Sequence, residues 1–283
     1  MLSGYFDDSG THDDSEVVVW AGLFGNRFQW AALDDAWGQA LKACPPKCRP
    51  LTHFHMVRCE SGTGEFAEDD TYQRWPRSER EALAKNLRKI INGNMLSGIG
   101  IGVARKIWDE LITDEDRRRV DGDAEGWAIR MIMVRATDWA ISRECERDPD
   151  FAMIFDRRRT GEITAVHKMI ANEVFRDKIN LFRPSYQPNI LPNSFMDAGK
   201  THQLQAADLF AWEFYQVVRD VVVNKASHRP QRAQMRELID GANGRLKGIL
   251  IEEEQVREIV AKGRRNSAEI VKRLPKSWNW KVK

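Results

Sequence analysis

Three aspartates in this chain stand where apolar runs end or are interrupted, and any fold must give each of them a partner. Asp7 follows Leu2-Ser3-Gly4-Tyr5-Phe6, Asp156 follows Phe151-Ala152-Met153-Ile154-Phe155, and Asp208 lies inside Ala206-Ala207-Asp208-Leu209-Phe210-Ala211. A carboxylate beside buried side chains is costly unless it is paired, hydrogen-bonded or bound to a cation. Three such acids, far apart in sequence and alike in setting, point to one shared partner, and a divalent metal ion is the simplest. Each also has a local reading. Asp7-Asp8-Ser9-Gly10 initiates turns through side-chain bonds to backbone amides. Asp156 either caps a following helix or is neutralised by Arg157, Arg158 and Arg159. Asp208 resists local explanation most, because helix interiors disfavour Asp and both its neighbours are apolar; a bond to a core hydroxyl or to Lys200 is its alternative.

The pattern around these acids predicts alternating strands and helices. Residues 2–7 and 16–24 read as strands joined by a polar turn, hence an antiparallel hairpin. Helical spacing covers 27–42 and 77–91, with a short strand at 53–57 and a Gly-rich acidic loop between them. A third long strand spans 95–104, where Gly98, Gly100 and Gly102 alternate with Ile99, Ile101 and Val103; the bare face suits close approach of a helix or another backbone. An amphipathic helix at 125–145 precedes the strand 151–155, a helix at about 160–175, a short strand near 178–182 and an extended piece at 190–196. A second strong helix runs over 202–223, and everything beyond Asn224 reads as polar, basic and helical. This order predicts an α/β fold, a mixed sheet with antiparallel first strands flanked by helices, and it also describes the ribonuclease H-like architecture. The expected organisation is one domain over 1–224 with an insertion at about 26–94, then a basic helical extension over 225–283.

Composition narrows the function classes. No apolar run approaches the roughly 18 residues a bilayer span needs, and the N-terminal segment lacks the pattern of a secretory signal, so a cytoplasmic protein without a membrane partner is expected. The formal net charge of +2 does not argue for nucleic acid by itself. The distribution says more: residues 262–283 carry Arg264, Arg265 and six further Lys or Arg against the single acid Glu269. Such a tail is either a solvated helix face or a phosphate-binding segment, in which Trp278 and Trp280 are available for base stacking. Cys44, Cys48, Cys59 and Cys145 are expected to be reduced thiols; Cys44, Cys48 and Cys59 with His53 and His55 leave a structural zinc site open as an alternative. His55 alone reads either as a partly buried polar group or as a catalyst.

Four segments together carry a family resemblance: Tyr5-Phe6-Asp7-Asp8-Ser9-Gly10 leading into Val18-Val19-Trp20-Ala21-Gly22; Phe54-His55; Ile154-Phe155-Asp156-Arg157; and Gln203-Leu204-Gln205-Ala206-Ala207-Asp208-Leu209-Phe210-Ala211. Over residues 1 to about 220 the chain resembles the bacterial family known as domain of unknown function 3800, regarded as ribonuclease H-like. Members usually show Asp-Glu-Ser-Gly where this chain has Asp7-Asp8-Ser9-Gly10, and Asp8 is one methylene shorter than that Glu. The resemblance implies metal-dependent phosphodiester chemistry, with Asp7, Asp156 and Asp208 as ligands of Mg²⁺ or Mn²⁺ and with Asp8 and His55 as further site residues. Arg157, Arg158, Arg159, Lys200, Arg264 and Arg265 are the candidates to hold a nucleic-acid strand. Two other functions compete. One is a catalytically degenerate nucleic-acid-binding or interaction module. The other is a haloacid dehalogenase-like phosphatase with Asp7 as nucleophile, although Ser9 stands where such enzymes place their second Asp.

Overall fold

The computed structural model describes residues 1–12, 14–114, 116, 123–142, 150–156, 189–190, 194–224 and 232–263. Arg157, Arg158, Arg159, Cys145, the elements expected at about 160–182, and the basic tail with Arg264, Arg265, Trp278 and Trp280 lie outside these residues.

Strands β1 (Leu2–Ser9), β2 (Val17–Asn26) and β3 (Ser97–Ala104) form the expected antiparallel meander, and β4 (Asp150–Asp156) lies parallel to β1 on its other side. Two short strands, β5 (Asn189–Ile190) and β6 (Ser194–Met196), pair in parallel with the beginning and the end of β4. At the opposite edge β7 (Leu246–Ile251) lies parallel to β3. The path is β5-β4-β1-β2-β3-β7, with β6 also on β4.

Helices cover both faces. Alternation along β2 sends Val17, Val19, Ala21 and Leu23 to one side and Val18, Trp20 and Phe24 to the other. The first side is covered by α1 (Arg27–Lys42), α3 (Arg77–Gly93), α6 (His202–Val222) and α7 (Ala233–Ala242). The second is covered by α4 (Arg105–Leu111), α5 (Ala124–Ser142) and α8 (Glu253–Gly263). Helix α1 starts where expected because Asn26 and Gln29 form a reciprocal capping box. The bare face of β3 has the predicted purpose: Phe214 and Val218 of α6 lie directly over Gly100 and Gly102, and Phe214 also covers Gly248 of β7. Among the described residues no helix is long and apolar enough to cross a membrane.

Two expectations are corrected. Residues 53–57 are not a strand: α2 (Met56–Ser61) begins at Met56, because its first amide is bonded by a carboxylate from a distant helix, which no local pattern shows. Nor is the region beyond Asn224 helical throughout, since Leu246–Ile251 joins the sheet and hydrogen-bonds along β3. In its apolar run, Ile249 and Ile251 enter the second core and Leu250 the first, which outweighs the polar composition around it.

Candidate active site

Strand alternation decides which acids meet. Tyr5 faces α1, with its ring 4.7 Å from that of Trp30, and Phe6 faces α5. Asp7 therefore lies on the Tyr5 face, opposite small Ala21 of β2. On β4, Phe151, Met153 and Phe155 enter the second core, so Asp156 also emerges on the Tyr5 face. The last paired residues of these parallel strands are Phe6 and Phe155, so Asp7 and Asp156 are the next residues on neighbouring strands. Helix α6 packs across β1 and β2 on this same face and carries Asp208, which is buried.

Strand β1 runs on through Ser9, beyond the expected end at Asp7, so Asp8 remains in the strand and takes the face opposite Asp7. Its carboxylate accepts the Thr11 hydroxyl, while its amide donates to Asp7 Oδ1 at 2.8 Å. The following turn is tightly held. Gly10 has a φ of 71° and no room for a side chain beside Tyr215, and the Arg105 guanidinium donates to the carbonyl oxygens of His12 and Gly10.

The electrostatics show that these carboxylates share one field. Asp7 is held well above the usual aspartate range, first by burial and then by Asp208, Asp8 and Asp156; the bond from the Asp8 amide offsets only part of this. The Asp7 residue itself is only partly buried. Asp208 is also raised, first by burial, with His55 and the Met56 amide opposing and Asp156 and Asp8 adding to the rise. Among the described residues no Lys or Arg enters either balance as a leading cause.

Each acid of the trio accepts a backbone amide. Asp208 Oδ2 accepts the Met56 amide at 2.7 Å and stands 3.9 Å from His55 Nδ1, so it anchors the start of α2 and draws His55 to the site. Asp156 Oδ1 accepts the Ala198 amide at 3.0 Å, at the start of the turn Ala198–Lys200. Lys200 ends that turn as an exposed residue, and the bonds of Asp208 run to α2 rather than to it. An ionised carboxylate has about four acceptor positions, so the hydrogen bonds of Asp7 and Asp208 leave both of them capacity for a ligand.

Gln205, quoted in the family motif without a role, is the organiser of this region. It is 1% exposed, its Oε1 accepts from Trp37 Nε1 and the Phe54 amide at 3.0 Å each, and its Nε2 donates to the Ala198 carbonyl at 2.9 Å. One side chain thereby ties α1, the segment before α2 and the turn that holds Asp156. The available signal was the one that singled out Asp208: a polar residue between apolar neighbours, one helical turn earlier on α6. Glu213 is different again. It is fully buried and lies within reach of Arg88 and Arg232, away from the trio's partners.

A cation suits this donor set, because all its ligands are oxygens that repel one another and Mg²⁺ and Mn²⁺ prefer such ligands. Among the described residues, no three His, Cys, Asp or Glu side chains are gathered closely enough to ligate a single ion as they stand. The same holds for the zinc alternative. The Cys48 and Cys59 thiols face the carbonyls of Arg74 and Arg80 respectively, and burial pushes the Cys59 thiol up to about 12, which disfavours the thiolate that zinc needs.

No family model matches the chain, and no curated protein matches it either. The resemblance to domain of unknown function 3800 therefore rests on the four sequence motifs.

Proposed function

We propose that the protein is a ribonuclease H-like, metal-dependent nuclease or a related phosphoryl-transfer enzyme that hydrolyses phosphodiester bonds of nucleic acid. The observation that carries this reading is the meeting of Asp7, Asp156 and Asp208 on one face of the sheet, where Asp208 and Asp156 add to the raised pKa of Asp7 and Asp156 adds to that of Asp208, with no Lys or Arg among the described residues as a leading opposing cause. The strand order β3-β2-β1-β4-β5, with β2 reversed, supports it, as does the position of the third acid on a later helix. Asp7, Asp156 and Asp208 would hold Mg²⁺ or Mn²⁺, which supplies Lewis-acid activation of water and of the departing oxygen.

The remaining work falls to the chain itself. Gln205 and the three amide bonds keep the carboxylates in place, so little reorganisation is needed when a substrate arrives. His55, half exposed beside Asp208, is placed to accept or return a proton at the rim. Lys200 and the basic segments expected at 157–159 and 264–265 supply charge for the strand.

The test incubates the full chain with Mg²⁺ or Mn²⁺ and with single- and double-stranded DNA and RNA. Cleavage should depend on the ion, and Asp156→Asn should lower it by more than about 100-fold, since even outer-shell partners of a metal commonly cost 10–100-fold. The variant should melt within a few degrees of the wild type. Binding without cleavage in any ion would instead select the degenerate binding module. Trapping a phosphoaspartate on Asp7 would select the phosphatase, though β1 leads into the antiparallel strand β2 and Ser9 occupies the position of its acid.

A further inference from the structure

A second set of polar residues adjoins the acids, on the segment that Asp208 and Gln205 grip. Phe54 is buried, whereas His53 and His55 on either side are partly exposed, so the two imidazoles share the outward face of an extended stretch. His55 is the residue before α2 and Arg58 follows three positions later, which places them on one helical face. His55 stands beside Asp208. His53, His55 and Arg58 thus form a continuous edge leading away from the carboxylates.

Arg58 does not sample this edge freely. Its Nη1 donates to Glu65 Oε2 at 3.0 Å, and its side chain crosses Gly64 so closely that a β-carbon there would lie 2.8 Å from Arg58 Cδ. Gly64 has a φ of 56°, a conformation that glycine accepts readily. The same Glu65 oxygen stands 3.6 Å from His53 Nε2. Glu65 is 7% exposed, and its other oxygen is buried without a hydrogen-bond partner among the described residues, whereas the Arg58 side chain is 41% exposed. A buried carboxylate with an unsatisfied oxygen is an expensive way to close a surface loop. It is a reasonable way to hold an exposed guanidinium at a fixed place.

We propose that Arg58 is a substrate-binding residue that holds a phosphate of the nucleic-acid strand next to the scissile one, and that Glu65 is the residue that positions Arg58 and His53 for that contact. The proposal rests on the reading of the acids as a phosphodiester-hydrolysing site and assigns the strand its path past them. Guanidinium suits the task because its planar fork bonds phosphate oxygens in pairs.

The experiment measures binding of labelled single- and double-stranded DNA and RNA oligonucleotides to the full chain in the Asp156→Asn background, across a salt series. Arg58→Gln should weaken binding by about tenfold and lower the slope of log affinity against log salt by about one phosphate contact, 0.7 to 0.9. Glu65→Gln gives the sharper reading. Removing a negative charge near a polyanion should tighten binding if Glu65 matters only through its charge. As a positioning residue its loss weakens binding instead, while Arg58→Lys retains the salt slope. Unchanged affinity and slope in Arg58→Gln, or tighter binding in Glu65→Gln, overturns the proposal. Both variants are checked by thermal melting, and a normal melt with weakened binding supports the assignment. If the chain with Asp156 intact cleaves while Arg58→Gln binds normally, only the clamp fails; if binding depends on Arg58 and the chain with Asp156 intact cleaves nothing, only the nuclease reading fails.

Discussion

Helix α6 carries two buried acids five residues apart, Asp208 and Glu213, and the protein answers them differently. Around Glu213 it supplies cations: Arg88 Nη1 at 3.3 Å and Arg232 Nε at 3.5 Å, with Arg88 also reaching Glu237 and Arg232 lying over the Trp212 ring. Around Asp208 it supplies one amide, one imidazole and further carboxylates. A buried acid met by the chain's own guanidinium groups is part of the architecture, joining α3, α6 and the start of α7. One that meets further carboxylates instead has no such joining role, and a cation from outside is the partner proposed for it. Ion pairing does not make Glu213 an ordinary acid, however. Burial outweighs both arginines and lifts it to about 7.

The contrast can be tested from its stronger side first. Arg88→Met leaves Glu213 buried with half its compensation and should cost about 3–5 kcal/mol in denaturant unfolding, with no recovery on adding Mn²⁺. A loss below about 1 kcal/mol would mean that Glu213 is already neutral, and the two acids would then differ less than proposed.

A smaller effect is expected in the pH dependence. Glu213 has a folded pKa of about 7 against an ordinary 4.5, so its favourable contribution is complete below 4.5 and is lost as pH rises to about 7. Glu213→Gln should remove a decline on the order of 2–3 kcal/mol across that window, read as the difference in slope between the two proteins in chelator.

The weakest signal comes from the trio itself. Asp7 is also raised, so its contribution is complete below about 3.9 and is lost as pH climbs through its elevated folded value. At neutral pH the chelated wild type bears that penalty and Asp7→Asn does not. The variant should melt a few degrees higher in chelator, at about 2–4 °C per kcal/mol for a domain of this size, and it should lose the stabilisation that Mn²⁺ gives the wild type. A variant that melts lower and still responds to Mn²⁺ would remove Asp7 from the site.

Much of this arrangement is legible in the sequence, for identifiable reasons. The hairpin, β3, α1 and α6 declare themselves by period and by caps that are local, such as Asn26 with Gln29. The three aspartates stand out because each offends its surroundings within a few residues. What stays hidden depends on partners far away in the chain. Phe54-His55-Met56-Val57 looks like a strand because the carboxylate that starts α2 belongs to residue 208. Gln205 passes as one more polar helical position until Trp37, Phe54 and Ala198 are seen converging on it. Strand β7 is short and set in a basic region, so its parallel pairing with β3 has no local signature.

The missing side chains at positions 100 and 248 reach further than their own strands. A methyl group at either would press to within 2.5 Å of the Phe214 ring, which leaves that ring nowhere to go but upward. Phe214 and Asp208 ride on the same rigid rod, about 9 Å apart along its axis at 1.5 Å per residue. The altitude of the acid above its two counterparts is therefore machined into the floor by hydrogen atoms on two strands that never touch the chemistry.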